Sequence, residues 1–154
     1  MLEEANSHGL RFECQQCSFC CTGSPGFVWL SDADISNLCA FFAMDLEEFS
    51  LSYCRSLEVE GGTVLSLREK PGYDCIFLEG GRCTVYAARP VQCRTYPFWE
   101  EILESETSWK SEATNCPGIG AGAPVLPQKI AEAFLEMRAH PRRIFVKAEC
   151  ERAP

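Results

Sequence analysis

The residues with the clearest chemical potential are the cysteines, which number 11 among the 154 residues of the chain. Four of them are packed into the run Cys14-x-x-Cys17-x-x-Cys20-Cys21. Two residues between cysteines allow a tight turn to direct both thiolates at one ion, as in zinc sites and in the ligation of ferredoxin clusters. Because the chain has only two histidines, the run predicts a metal site built mostly of sulfur.

A local run seldom completes a metal site, so further ligands are expected from distant parts of the chain. Cys75 and Cys83 flank a predicted hairpin turn, where two thiols can converge. Cys93 lies in a stiff segment between two cations, and Cys116 precedes a proline and flexible glycines. The candidate metal ligands are therefore eight cysteines: Cys14, Cys17, Cys20, Cys21, Cys75, Cys83, Cys93 and Cys116.

The number of metal ions stays open at this point. We expect Cys20 and Cys21 to point in different directions, because neighbouring side chains diverge in a regular backbone. One cluster that takes all eight sulfurs is then disfavoured, which leaves either two metals or one four-ligand site with the other cysteines around it. Two closed zinc sites would together carry about −4. The arginines that lie near cysteines in the sequence could offset this charge: Arg11, Arg82, Arg89 and Arg94.

The other cysteines and both histidines are expected to serve other purposes. Cys39 lies on the apolar stripe of a predicted helix, Cys54 ends the next helix and Cys150 lies in a polar tail. Unpaired cysteines of this kind are commonly buried or inert. His8 is predicted to be an exposed terminal residue, and His140 to complete the C-terminal end of a helix.

Charge and compartment limit the possible partners. The 14 Lys+Arg against 22 Asp+Glu give a net charge of −8, which disfavours nucleic acid and a polybasic membrane anchor. The N-terminus is acidic without an apolar segment, and the apolar runs are far shorter than the roughly 20 residues of a membrane span. We therefore expect a cytoplasmic protein with reduced thiols; an odd cysteine count also disfavours a secreted disulfide scaffold.

The elements that must position these cysteines are predicted to form a small α+β domain organised around the metal, with two or three helices and two β-hairpins. Ser31 and Asp45 each resemble a helix N-cap, and Pro127 opens a last helix. The first helix has the stripe Ile35, Leu38, Cys39 and Phe42, the second has Leu46, Phe49 and Tyr53, and the last has Ile130, Ala133, Phe134 and Met137.

Turn residues place the two hairpins and the remaining segments. One hairpin is predicted over 57–67 around Gly61-Gly62, and the other over 75–86 around Gly80-Gly81. Residues 27–30 are predicted to form a strand, 89–90 to open a short turn or helix, 100–115 to form a loop or short helix, and 116–124 to be turn-rich. The domain boundaries expected are an N-terminal arm (1–13), a metal-binding domain (14–124), and a helix and tail (125–154) packing on it.

These motifs together make the family recognisable. Phe12-x-Cys14-x-x-Cys17-x-x-Cys20-Cys21 is followed by Cys75-Ile76-Phe77-Leu78 and Cys83-Thr84-Val85-Tyr86. Arg89-Pro90-x-x-Cys93-Arg94-x-Tyr96-Pro97-Phe98-Trp99 and Cys116-Pro117-Gly118-Ile119-Gly120 complete the pattern. The sequence resembles the YkgJ-type cysteine-cluster family, described as zinc- or iron-chelating. The resemblance covers about residues 12–122, and it implies chelation of a zinc or iron ion by the eight cysteines without an established reaction.

A second resemblance keeps another function open. The chain is also similar to the cysteine-rich part of flagellin lysine methylases, which use an iron–sulfur cluster. This similarity implies an iron–sulfur redox or accessory protein, with a 4Fe-4S cluster as the alternative cofactor. The glycine triplet Gly118-x-Gly120-x-Gly122 follows Cys-Pro rather than a strand, so it predicts a loop near the metal and not a nucleotide site. The absence of other catalytic motifs favours a binding module over an enzyme, with the protein partner unknown.

Overall fold

The computed structural model describes residues 9–146, and these form five α-helices and seven β-strands. The helices are α1 (Asp32–Phe42), α2 (Leu46–Tyr53), α3 (Val91–Thr95), α4 (Glu106–Glu112) and α5 (Pro127–Ala139). The strands are β1 (Arg11–Phe12), β2 (Cys54–Val59), β3 (Gly62–Leu67), β4 (Leu78–Glu79), β5 (Arg82–Cys83), β6 (Ile119–Pro124) and β7 (Ile144–Phe145). This mixture confirms the α+β class.

More helices form within residues 9–146 than the two or three that were expected. The additional ones, α3 and α4, have 5 and 7 residues, which is too short for a helical stripe to show in the sequence. None of the helices in this part of the chain is long and apolar enough to cross a bilayer.

The first two helices begin where their capping residues predict. Ser31 accepts a hydrogen bond from the Asp34 backbone N–H, and the Asp34 carboxylate accepts one from the Ser31 N–H. Asp45 and Glu48 make the same reciprocal pair at the start of α2. Such pairs satisfy amide groups that have no partner inside the helix. The expected burial of Leu46 is wrong, because its side chain is exposed.

Both predicted hairpins are present. Strands β2 and β3 pair antiparallel from Cys54↔Leu67 to Val59↔Gly62, and β7 joins β3 as a third strand. Cys54 ends α2 as its C-cap and at the same time begins β2. Strands β4 and β5 pair across the turn at Gly80 and Gly81, which both have positive φ. Residues 27–30 differ from the expected strand, since only an isolated bridge from Trp29 to Ser66 forms there.

The largest difference from the sequence prediction is the pair β1–β6. Arg11 and Phe12, which were expected to lie in a loose arm, pair antiparallel with the segment that was expected to be turn-rich. Gly118 explains the contact, because a Cβ there would lie 2.5 Å from the Glu13 carbonyl oxygen. The two backbones therefore lie very close together in this pair. Residues 116–124 contain few large apolar side chains, so their pattern does not predict a strand.

Two separate apolar clusters pack the domain. The first core joins α1, α2 and the hairpin strands β2 and β3, and its buried residues include Leu38, Phe49, Leu65 and Phe77. The second core joins α4 and α5 around Phe98, Ile102, Trp109, Ile130 and Ala133. The predicted inward positions Ile130, Ala133 and Phe134 of the last helix are thus confirmed, whereas Met137 is half-buried and outside this core. The stretch 100–115 includes a helix whose Trp109 is buried.

Candidate metal centre

The cysteine run contains two residues with a left-handed backbone, and a 3-10 turn follows them. Gln16 and Ser18, on either side of Cys17, have positive φ values of 51° and 61°. Phe19–Cys21 then form the 3-10 turn, which ends at an extended residue. The sulfurs of Cys20 and Cys21 lie 3.7 Å apart, so the expectation that they point apart is wrong. The reason is that the backbone is irregular here, and the divergence rule holds for continuing helices and strands.

The hairpin β4–β5 brings two more cysteines to this turn. The Cys75 backbone N–H donates to the Cys21 carbonyl oxygen at 2.8 Å. Cys83 lies opposite Leu78 in the hairpin, and the Ser18 hydroxyl donates to the Gly81 carbonyl oxygen at 2.7 Å. These bonds join the cysteine run to the segment just before the hairpin, at Cys75, and to the hairpin turn, at Gly81.

Helix α3 brings Cys93, and a buried carboxylate fixes that helix. The Asp34 side chain is 1% exposed. Its Oδ1 accepts from the Val91 N–H at 2.9 Å, and its Oδ2 accepts from the Ser31 N–H and hydroxyl. Arg94 lies 3.7 Å from Oδ1 and also pairs with Glu136. Because one carboxylate bonds the starts of both α1 and α3, it sets where Cys93 lies relative to the first core.

Five thiols affect one another's pKa values through their charges or through a hydrogen bond. We call these five the first sulfur group: Cys20, Cys21, Cys75, Cys83 and Cys93. Burial, and to a smaller extent the charges of Cys75, Cys20 and Cys83, together raise the pKa of Cys93 to about 12. The hydrogen bond with Cys20, burial, and the charges of Cys20, Cys75 and Cys93 raise the pKa of Cys21. The same hydrogen bond lowers the pKa of Cys20 to about 7.

Two cations lie beside the first sulfur group. The charge of Arg89 lowers the pKa values of Cys20, Cys83 and Cys93, against the effect of burial on each. The Arg89 guanidinium stacks 3.6 Å from the Tyr86 ring centroid. Lys70 has the same effect on Cys75, and its ammonium donates to the Leu78 carbonyl oxygen at 2.6 Å. Arg89 was among the arginines expected to offset thiolate charge; Lys70 was missed because no motif includes it.

The other three candidates lie at the strand pair β1–β6, and we call them the second sulfur group: Cys14, Cys17 and Cys116. Cys14 follows Glu13, whose N–H donates to the Gly118 carbonyl oxygen at 3.0 Å. The Ile119 N–H donates in turn to the Cys116 carbonyl oxygen at 3.0 Å. Cys116 is buried, whereas Cys14 and Cys17 are exposed. Burial raises the pKa of Cys116, and the charge of Cys17 raises it further.

Tyr96 and Glu112 complete the surroundings of Cys116. The Tyr96 hydroxyl donates to Glu112 Oε1 at 2.6 Å, and a hydrogen bond also joins Tyr96 to Cys116. Burial and the Glu112 carboxylate raise the pKa of Tyr96, so the phenol stays protonated. Tyr96 belongs to the motif that carries the family resemblance, whereas Glu112 lies outside every quoted motif and was missed from the sequence.

The donor set fits a thiophilic ion, although the sulfurs are not closed around a point. All ten cysteines within residues 9–146 are free thiols, and zinc and iron both accept thiolate ligands. In that part of the chain, no group of three or more His, Cys, Asp or Glu side chains stands in an arrangement that could hold a metal ion. The backbone bonds therefore join the segments that carry the cysteines, and among the sulfurs those of Cys20 and Cys21 are in contact, at 3.7 Å.

The residues that were not expected to be ligands lie elsewhere. Cys54 is buried in the first core, and Cys39 packs against that core. The His140 Nδ1 lies 2.9 Å from the Glu136 carbonyl oxygen at the end of α5, in keeping with a role at that helix terminus. His8 and Cys150 lie outside the described residues.

The glycine triplet belongs to a strand and not to the loop that was expected. Gly118 precedes β6, and Gly120 and Gly122 are part of it. A Cβ at Gly122 would lie 2.7 Å from the Glu13 Cβ. Gly118 and Gly122 therefore permit the close approach of this segment to residues 12–13, whereas a Cβ at Gly120 would meet nothing within 4 Å.

Comparison with known proteins agrees with the cysteine chemistry. A family model named CxxCxxCC and described as a "putative zinc- or iron-chelating domain" matches residues 13–117, more than half of the chain. That range contains all eight candidate ligands, from Cys14 to Cys116. No solved structure matches the chain.

Proposed function

The chain belongs to the CxxCxxCC family, and we propose that it chelates zinc or iron through the thiolates of its eight clustered cysteines. The observation that carries the proposal is the first sulfur group, in which three separate segments bring five thiols together. Cys75 is bonded to the cysteine run through its backbone, and Cys93 is placed by the buried Asp34. Unpaired thiols gathered in this number and without disulfides suit a soft cation.

The charges around the first sulfur group support the same function. Metal binding requires deprotonated thiols, and gathering several thiolates without a cation is unfavourable. Arg89 and Lys70 lower the pKa values of four of the five thiols but do not neutralise the group. A bound dication would supply the missing positive charge. The proposal assigns binding and no reaction, in the reducing cytoplasm where thiols stay free.

Elemental analysis of the anaerobically purified chain tests the proposal. We expect zinc or iron to copurify, and Cys93→Ser to retain less metal than the wild type, because it removes the deepest sulfur of the first group. Cys39→Ala is the matched control: its sulfur lies 3.8 Å from the Asp45 carbonyl oxygen, on the helix face that packs against the first core. Wild-type protein free of both metals would contradict the proposal, and so would equal metal content in the folded Cys93→Ser variant.

An iron–sulfur cluster is the second candidate, with a redox or accessory role like that of the cysteine-rich part of flagellin lysine methylases. The partial burial of two sulfurs of the first sulfur group favours it: Cys75 and Cys83 pack against the first core with Phe77 and Val85, and apolar surroundings limit solvent access to a cluster. Broad visible absorbance of the anaerobic protein, with iron and acid-labile sulfide, would support the cluster. Colourless protein that releases zinc would support the simple ion.

A further inference from the structure

Cys20 and Cys21 are adjacent in the chain, and their sulfurs lie 3.7 Å apart. We propose that this pair is a reversible oxidation site, at which a hydroperoxide converts the two thiols into a vicinal disulfide and thereby releases metal. The release of metal rests on the proposed function, because it removes two of the candidate ligands. The oxidation itself requires only the two neighbouring thiols.

The backbone around the pair keeps the two sulfurs in contact. The Cys21 N–H donates to the Ser18 carbonyl oxygen at 2.9 Å. The Thr22 N–H donates to the Phe19 carbonyl oxygen at 3.2 Å and ends the 3-10 turn. From outside the turn, the Cys75 N–H donates to the Cys21 carbonyl oxygen at 2.8 Å. The sulfurs are thus placed beside each other by the fold, and they have to approach to about 2.05 Å to form a bond.

Solvent reaches the pair from the side of Cys20. Cys20 is exposed and Cys21 is half-buried, and the side chain of the preceding Phe19 is 56% exposed. Because oxidation of cysteine depends on access, Cys20 is the sulfur that a small hydroperoxide meets first. Cys21 then acts as the resolving thiol, since its sulfur lies next to that of Cys20.

The oxidation takes place in two balanced steps. The Cys20 sulfur, after losing its proton, attacks one peroxide oxygen; the O–O bond breaks, Cys20 becomes a sulfenic acid, and the other oxygen leaves with that proton as water or an alcohol. The Cys21 sulfur then attacks the Cys20 sulfur, the S–O bond breaks, and the hydroxyl group leaves with the Cys21 proton as water. The two thiols thus give two electrons to the peroxide and become one disulfide.

The covalent geometry of adjacent residues makes this disulfide easy to reduce. Neighbouring Cα atoms lie about 3.8 Å apart across a trans peptide bond, whereas ordinary disulfides join Cα atoms about 4.4–6.8 Å apart. A disulfide within the pair is therefore strained, and strained disulfides are the labile and regulatory ones. Two molecules of a low-molecular-weight thiol restore both cysteines and are themselves oxidised to a disulfide. The pair is suited to a switch and not to a permanent cross-link.

Peptide mapping of the full-length chain tests the site. The anaerobically purified protein is treated with hydrogen peroxide, alkylated, unfolded and cleaved with chymotrypsin. Cleavage after phenylalanine isolates peptide 20–27, whose two cysteines are Cys20 and Cys21, from peptide 13–19, which carries the other two cysteines of the run. We expect peptide 20–27 to be recovered without alkylation and lighter by two hydrogen atoms. Treatment with glutathione before alkylation should restore the doubly alkylated peptide.

Two variants and the release of zinc sharpen the test. Cys21→Ser is expected to stop at a sulfenic acid on Cys20, which dimedone traps, because the resolving thiol is gone. Cys39→Ala is the matched control, since Cys39 lies on α1 and packs against the first core, and it should form the same disulfide as the wild type. In zinc-loaded wild type, the zinc that passes to a chromogenic chelator should rise in parallel with the disulfide in peptide 20–27.

Defined results would overturn the proposal. Peptide 20–27 alkylated at both cysteines after peroxide treatment would show that the pair does not react. A disulfide that joins peptide 13–19 to peptide 20–27 would assign the oxidation to a different pair, and sulfinic acid at Cys20 without a disulfide would show that Cys21 does not resolve it. Complete disulfide formation without loss of zinc would overturn the release of metal. A chain that forms the disulfide but binds neither zinc nor iron would overturn the proposed function and leave the oxidation site standing.

Discussion

The segment 27–67 and the segments that hold the cysteine ligands are stabilised by different interactions. In 27–67, capped helices and a hairpin of two six-residue strands bury Leu38, Phe49 and Leu65 almost completely. The cysteine-bearing segments 11–26 and 75–122 contain strands mostly of two residues, tight turns and short helices. Isolated two-stranded pairs are marginally stable in water. Apolar burial accounts for the first region. In the second region it includes Phe77, Phe98 and Trp109, whereas the cysteine run is exposed or half-buried, so a bound metal would add a cross-link there.

The aromatic stack of the first core gives the largest expected effect. Phe49→Ala should lower the free energy of unfolding by about 3–5 kcal/mol, because a fully buried ring is replaced by a cavity. Phe49 is 0% exposed, and its ring centroid lies 5.7 Å from that of Tyr53 and 6.5 Å from that of Phe42. Denaturant unfolding measures the change. Leu51→Ala, at a side chain 66% exposed on the same helix, should change the value by less than about 0.5 kcal/mol.

Removal of metal should affect the other region. With metal at roughly one hundred times Kd, binding stabilises the folded state by about 2.7 kcal/mol. Stripping it should speed amide hydrogen exchange about a hundredfold in β4, β5 and the turn at Phe19–Cys21, whereas amides of β2 and β3 should change little. Hydrogen-exchange mass spectrometry compares the two. A uniform increase in exchange over both regions would show that they unfold together and would break the comparison.

The link between the regions gives a smaller effect. Asp34→Asn replaces one carboxylate oxygen by an NH₂ group, so either the Val91 N–H or the Ser31 donors lose their acceptor. An unpaired buried donor costs about 1–3 kcal/mol, and we also expect weaker zinc binding because Cys93 is on the helix that Asp34 fixes. Ser31→Ala is the control, since loss of a cap costs about 1 kcal/mol but keeps the bond to Val91.

Stability and zinc affinity separate the two roles of Asp34. If both variants lose stability and neither changes zinc affinity, Asp34 acts only as a helix cap and not as a link to the metal centre. Rescue is also informative: excess zinc should restore the melting temperature of Asp34→Asn more than that of Ser31→Ala.

The sequence was a good guide wherever a local pattern decides the structure. Ser31 and Asp45 are capping residues because of their immediate neighbours, and Gly80-Gly81 makes a turn because of its own backbone freedom. The long helices and both hairpins could be predicted for this reason. Family membership was also readable from the cysteine spacing, which the match over residues 13–117 confirms.

The failures involve contacts between distant residues. Strand β1 forms only because β6 returns beside it, and no local feature of Arg11 and Phe12 shows this. The sequence left each of α3 and α4 open between a short helix and a turn or loop, because they depend on tertiary partners such as the Asp34 carboxylate that accepts the Val91 N–H. The close approach of the Cys20 and Cys21 sulfurs depends on an irregular turn that a rule for regular backbone does not describe.

By itself the sequence determined the number and spacing of the cysteines, the net charge of −8 and the α+β class, because these follow from residue types and short-range patterns. Only the tertiary structure decided how the cysteine-bearing segments meet. The Cys75 N–H bonds to the Cys21 carbonyl oxygen, and β1 pairs with β6, which begins three residues after Cys116. The physical reason is that thiol chemistry belongs to each residue, whereas proximity depends on packing and hydrogen bonds between segments that are far apart in the chain.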